Sequence, residues 1–186
     1  MTNVLSPLAG KIMNANPHAY EKLVVDSGTP ALARELLDGV QLEQLLEGPA
    51  KSPAAADALL AGLWLWHDGL EESHRISQSI HSSTGSFWHA IMHRREGDFS
   101  NSKYWYARTT GHPAFQTLAG RAGPIINQAP AEKMLLKLVS GGWNPNIFVD
   151  LVESASDQPD DPLYATAVSL QQLEWRALWD YCVAPG

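Results

Sequence analysis

Apolar residues recur along this chain at intervals of three, four and seven, the spacing of one face of an α-helix. No run alternates apolar with polar over strand length between hairpin turns. The pattern predicts helices over roughly 17–25, 30–38, 54–66, 70–81, 86–96, 99–108, 114–121, 131–140, 145–155 and 162–182. Five starts are punctuated by a capping residue before proline: Asn16-Pro17, Thr29-Pro30, Ser52-Pro53, Asn144-Pro145 and Asp161-Pro162. The side chain serves as N-cap, and proline's fixed φ suits the first helical turn. Gly39 and Gly141-Gly142 mark stops. The last helix is the longest. Leu163, Leu170, Leu173, Ala177 and Tyr181 give it an apolar face, widened by Trp175, Leu178 and Trp179. The expected fold class is all-α: a single compact multi-helix domain with an antiparallel helical hairpin at about 70–96 and a long C-terminal helix.

At 186 residues the chain suits one domain with its own core. The net charge of −7 repels phosphate backbones, and no basic run exceeds Arg94-Arg95, so nucleic acid is not an expected partner. The longest apolar run, LLAGLWLW, is short of the ~20 residues a membrane-spanning helix needs. The N-terminal residues lack a basic stretch followed by an apolar one. Cys182 is the only cysteine. The expectation is a soluble, cytoplasmic protein without a membrane partner.

The chemistry concentrates between Trp64 and Phe115, which holds six of the seven histidines. On a helix over 70–81, Glu71, His74, Gln78 and His81 fall within about 80° of one another. On a helix over 86–96, His89, His93 and Glu96 fall within about 60°. Each stripe lies apart from its helix's apolar one. Ser82-Ser83-Thr84-Gly85 reads as a tight turn, so the helices should pack antiparallel. Glu71 is then level with Glu96, His74 with His93 and Gln78 with His89. Glu71, His74, His93 and Glu96 are the candidate reactive centre. They could act as ligands for a divalent transition metal (Zn, Fe or Mn) or as a metal-free acid–base set. The competing reading makes both stripes solvated faces or backbone-bonded polar groups.

Asp98 should cap the next helix, on which Asn101, Trp105 and Arg108 share a face. With Gln78 and His89 they are candidates for positioning a small polar ligand. The functional expectation is a small-molecule enzyme, most plausibly a metal- or acid–base-dependent hydrolase. The alternative is a non-catalytic helical domain for ligand binding or protein interaction. Nothing in the residues indicates an oligomeric state.

These residues also carry a resemblance. EESHRISQS followed by FWHAIMHRREGDFSNSKYWYARTTGHPAF resembles an uncharacterised group of bacterial and fungal helical proteins. Their pattern is an acidic-x-x-His-x-x-x-Gln segment, then WHAxxHRxExDxxNxxYW, then GxHP. It falls on Glu71, His74, Gln78, Trp88, His89, His93, Arg94, Glu96, Asp98, Asn101, Tyr104, Trp105, His112 and Pro113. Ser73 stands where alanine is expected, and Phe87 where tyrosine is. The likeness covers roughly residues 64–115 and implies no activity.

Overall fold

The computed structural model describes residues 5–26, 28–48, 53–130 and 132–184. Among them there is no strand, and the helical class expected from the periodicity is observed. In chain order the helices are α1 (Pro7–Asn14), α2 (Ala31–Leu37), α3 (Pro53–Trp66), α4 (Leu70–Ser77), α5 (Ser83–Arg95) and α6 (Phe99–Tyr106). They continue with α7 (Ala114–Arg121), α8 (Gly123–Gln128), α9 (Lys133–Val139), α10 (Pro145–Ala155) and α11 (Pro162–Val183). No helix is long and apolar enough to cross a membrane among the described residues.

Three elements carry the centre. α3 is apolar on nearly every side, as a fully surrounded helix must be. α11 spans 22 residues and packs on α3, α7, α8 and α10. α5 packs against α3 and is covered by α4 and α6. Their junction is built of tryptophan. The Trp175 ring lies 4.6 Å from Trp66, 5.0 Å from Trp179 and 6.0 Å from Trp88. Its indole N–H donates to the Gly62 carbonyl at 2.9 Å, so this buried polar atom is satisfied. Gly62 is needed there, because a Cβ on it would stand 2.8 Å from Trp88.

The proline-marked starts are only partly realised. Asn144 and Asp161 cap α10 and α11 with their side chains. Ser52 lies outside the described residues. Thr29 is passed over, since Pro30 itself is the cap position of α2. Asn16-Pro17 opens no helix, and the expected helix over 17–25 is absent. The Asn16 side chain accepts from His18 N–H in a local turn, and Tyr20 takes φ +63°, which a right-handed helix cannot continue. That segment's backbone is tied instead to α11. Gln171 Nε2 donates to the carbonyls of Tyr20 and Lys22, and Leu23 N–H donates to the Tyr164 hydroxyl. Two helices go beyond the periodicity, α1 and α8. The first carries the same signal as the others, Ser6 capping Ala9 N–H before Pro7.

The buried side of α11 also differs from the expected stripe. Leu170 and Ala177 are buried, but Leu163, Leu173 and Tyr181 are only partly so. The innermost line runs through Ala167, Gln171, Glu174, Leu178 and Cys182. Two of these are polar, which hydrophobic patterning cannot anticipate.

Candidate functional site

The hairpin forms, with its boundaries moved. α4 stops at Ser77, so His81 lies beyond the helix and leaves the stripe. α5 begins at Ser83, capped by the Ser82 hydroxyl, which accepts from Gly85 N–H at 3.2 Å. Ser83, Thr84 and Gly85 are therefore first-turn residues of a helix, not a loop. Every residue from Phe87 to Arg95 is buried, because α3, α4 and α6 enclose α5. Its histidines are not on a wet face. They lie beneath α4 and α6.

Three imidazoles meet there. The ring of His74 on α4 lies 4.6 Å from His89 and 5.4 Å from His93, and the two α5 rings are 4.7 Å apart. One ring nitrogen from each falls within 4.8 Å of the others. The third member of the cluster is thus His89, expected as a ligand-positioning residue. His74, expected level with His93, instead has its ring nearer His89.

Each imidazole has a distinct environment. His89 is 2% exposed and its ring lies flat on Trp105, with centroids 4.0 Å apart. Its Nδ1 is buried and has no hydrogen-bond partner among the described residues. Burial first, then the neighbouring His93 and His74, push its pKa down to about 3. His74 is half-buried. Its pKa is lowered by burial and by His93, against an opposing pull from Glu96. Both rings are therefore neutral at pH 7 with lone pairs to offer, the form a metal ligand requires. His93 Nδ1 lies 2.5 Å from Glu96 Oε1, and Asn101 Nδ2 lies 3.1 Å from its Nε2. If Nδ1 carries the proton toward the carboxylate, Nε2 is the bare nitrogen facing Asn101.

Asp98, Glu96 and His93 also bring donor atoms within 4.8 Å of each other. Asp98 is already committed, however. Its Oδ1 accepts from Asn101 N–H at 3.0 Å and from the Ser100 hydroxyl at 3.1 Å. The Asn101 backbone bond holds its pKa down, as an N-cap carboxylate's should be. The expected cap is observed, and it aims Asn101 at His93.

The remaining expected residues lie around the cluster. Glu71 is exposed and, among the described residues, forms no hydrogen bond or ion pair with the imidazoles. It lines a hollow of 340 Å³ together with Gly28, Leu70, His74, Met92 and Glu96. The centre of four groups is thereby reduced: Glu71 is at the rim, and His89 takes its place. Gln78 is exposed too and lines a second hollow, of 430 Å³, with Trp105 and Arg108. The Arg108 guanidinium lies 3.7 Å over the Tyr104 ring and donates to the Tyr104 carbonyl at 3.1 Å.

Other histidines serve the fold. His67 Nε2 lies 3.0 Å from the Ile12 carbonyl. His112 Nδ1 accepts from Ala114 N–H at the start of α7, so its Nε2 proton points to Thr84 Oγ1 at 3.2 Å. Burial pushes its pKa down to about 4.

Arg94 and Arg95 are the residues that spacing missed. They form the longest basic run of the sequence and are completely buried. The Arg94 guanidinium approaches Glu174 to 2.6 Å and donates to the Tyr106 hydroxyl at 2.7 Å, and Tyr106 donates to Glu174 at 2.8 Å. Burial is the largest influence and opposes the Arg94 charge, but Glu174, Tyr106 and Tyr20 together outweigh it and raise the pKa. Arg95 donates to Asp68 at 2.5 Å and lies 4.1 Å over the Tyr20 ring. These ties fix the end of α5 that bears His93. Of the two, only Arg94 is picked out in the sequence, by the resemblance pattern.

Comparison with known proteins finds no matching family, no matching curated protein and no matching solved structure.

Proposed function

We propose that the protein is a metal-dependent hydrolase whose metal is held by His74, His89 and His93. The observation that carries this reading is the buried, unpartnered Nδ1 of His89 within a set of three mutually close imidazoles. An orphaned buried nitrogen costs free energy, and a cation shared with the two neighbouring imidazoles would offset it. Three nitrogen ligands without thiolate would suit Zn²⁺, and one of them, His74, lines the same hollow as Glu71 and Glu96. Bound there, the metal supplies a Lewis acid and a water whose pKa falls toward neutrality. Glu96 would orient His93, and Glu71, at the rim, would exchange protons with solvent. The likeness to the bacterial and fungal group stays part of the proposal, since its motif residues include all three histidines.

A metal-free acid–base reading is favoured by one observation. Asn101 already occupies His93 Nε2, giving a Glu96–His93–Asn101 chain. Zinc titration of untagged, chelator-treated protein separates the two. One Zn²⁺ per chain is expected, with uptake lost in His74→Ala, His89→Ala and His93→Ala. Hydrolysis of p-nitrophenyl acetate should follow the metal content. Absence of uptake, or uptake untouched by these substitutions, overturns the metal centre.

A further inference from the structure

The hollow of 430 Å³ lies away from Glu71, where α4 ends, α5 begins and α6 ends. Gln78, Ser82, Ser86, Trp105 and Arg108 are among its lining residues. The lining contains no carboxylate, although the chain carries a net charge of −7. Its volume falls in the range of about 300–1,000 Å³ usual for small-ligand sites. The cation in it is held in place. The Arg108 guanidinium lies 3.7 Å over the Tyr104 ring and donates to both the carbonyl and the hydroxyl of that residue. The rest of its five-donor fork stays free, and among the described residues it has no carboxylate partner. A guanidinium already positioned by its neighbours loses little freedom when it meets an anion.

Neutral donors accompany it. The Ser82 hydroxyl accepts from Gly85 N–H, so its own proton is free to point outward. Ser86 is half-buried, and the exposed Gln78 brings an amide with two N–H donors. Together these side chains offer more donors than the about four lone-pair sites of a carboxylate can use. A phosphoryl group, with three strong acceptor oxygens and close to two negative charges near pH 7, suits them better.

We propose that this hollow binds a small phosphomonoester, its phosphoryl group bonded by Arg108, Ser82, Ser86 and Gln78 and its organic part against Trp105. The half-buried indole supplies the apolar wall. None of His74, His89 and His93 lines the hollow, so the site stands apart from the metal centre proposed above.

Titration of the chelator-treated full chain with phenyl phosphate, benzoate and phenol at low salt tests this, read by ligand-observed NMR and by backbone amide shifts. Phenyl phosphate should bind about ten-fold or more tighter than benzoate, and phenol more weakly than either. The shifted amides should cluster at residues 78–86 and 105–108. Arg108→Gln should weaken phenyl phosphate about ten-fold or more, and Gln78→Glu, which puts a carboxylate into the lining, should do the same. Glu71→Gln, in the other hollow, should leave the affinity unchanged. Arg108 and Gln78 are both exposed, so thermal midpoints of their variants should match the parent's. Equal binding of phenyl phosphate and benzoate, an affinity that Arg108→Gln leaves intact, or shifts centred on Glu71 and His74 would overturn the proposal. Zinc uptake on separate samples judges the metal centre: it can fail while the phosphate preference holds, or the reverse.

Discussion

His93 and Glu96 stand one turn apart at the end of α5, with Nδ1 2.5 Å from Oε1. The carboxylate thereby selects the tautomer of an imidazole that is 6% exposed. Partners of this kind hold a ligating ring in place and raise its basicity. Glu96→Gln should therefore weaken Zn²⁺ binding about 10–100-fold. Competition titration against a chromogenic chelator measures this, and an unchanged affinity would show that Glu96 does not support the site.

Acid should destabilise the fold before carboxylates begin to protonate. His89 has its pKa depressed to about 3 and His112 to about 4, while the unfolded chain titrates near the ordinary imidazole value of about 6.5. Below that value the unfolded state binds more protons, so stability falls as pH falls. Each of the two buried rings contributes a slope of up to about 1.4 kcal/mol per pH unit. His67 and His74, also lowered, act in the same direction. Urea midpoints should decline between pH 6.5 and 5, and His89→Gln should flatten the decline. A flat profile in the parent protein contradicts this account.

Glu174→Ala should be severely destabilising. It would leave the Arg94 guanidinium buried without its carboxylate and strip the Tyr106 hydroxyl of its acceptor. Removing one partner of a buried ion pair costs about 3–5 kcal/mol. Chemical denaturation gives the number, and a loss under about 1 kcal/mol would mean that the pair is relieved by water.

Gly85 and Gly120 should respond oppositely to alanine. A Cβ on Gly85 would stand 2.2 Å from the Ile80 carbonyl oxygen, where backbone must move. Gly120, within α7, has nothing within 4 Å. Gly85→Ala should cost about 1–3 kcal/mol by overpacking. Gly120→Ala should gain about 0.4–1 kcal/mol by restricting the unfolded chain. Thermal melts of the two variants check both signs.

The periodicity and the caps determined the helical class, the hairpin, the long C-terminal helix and the company of His74 with His93, because these depend on neighbours in sequence. The capping roles of Asp98, Asn144 and Asp161 were equally local. Tertiary structure decided the rest. It buried α5 on every side, because α3, α4 and α6 all needed a surface to cover. That enclosure drew His89 into the centre and left Glu71 at the rim. It also turned Arg94 and Arg95 inward, since Glu174 and Asp68, distant in the chain, arrive beside them. A helical wheel gives each side chain a direction around its axis. Only the packing of other helices decides which directions are dry, and a buried nitrogen without a partner exists only once they are.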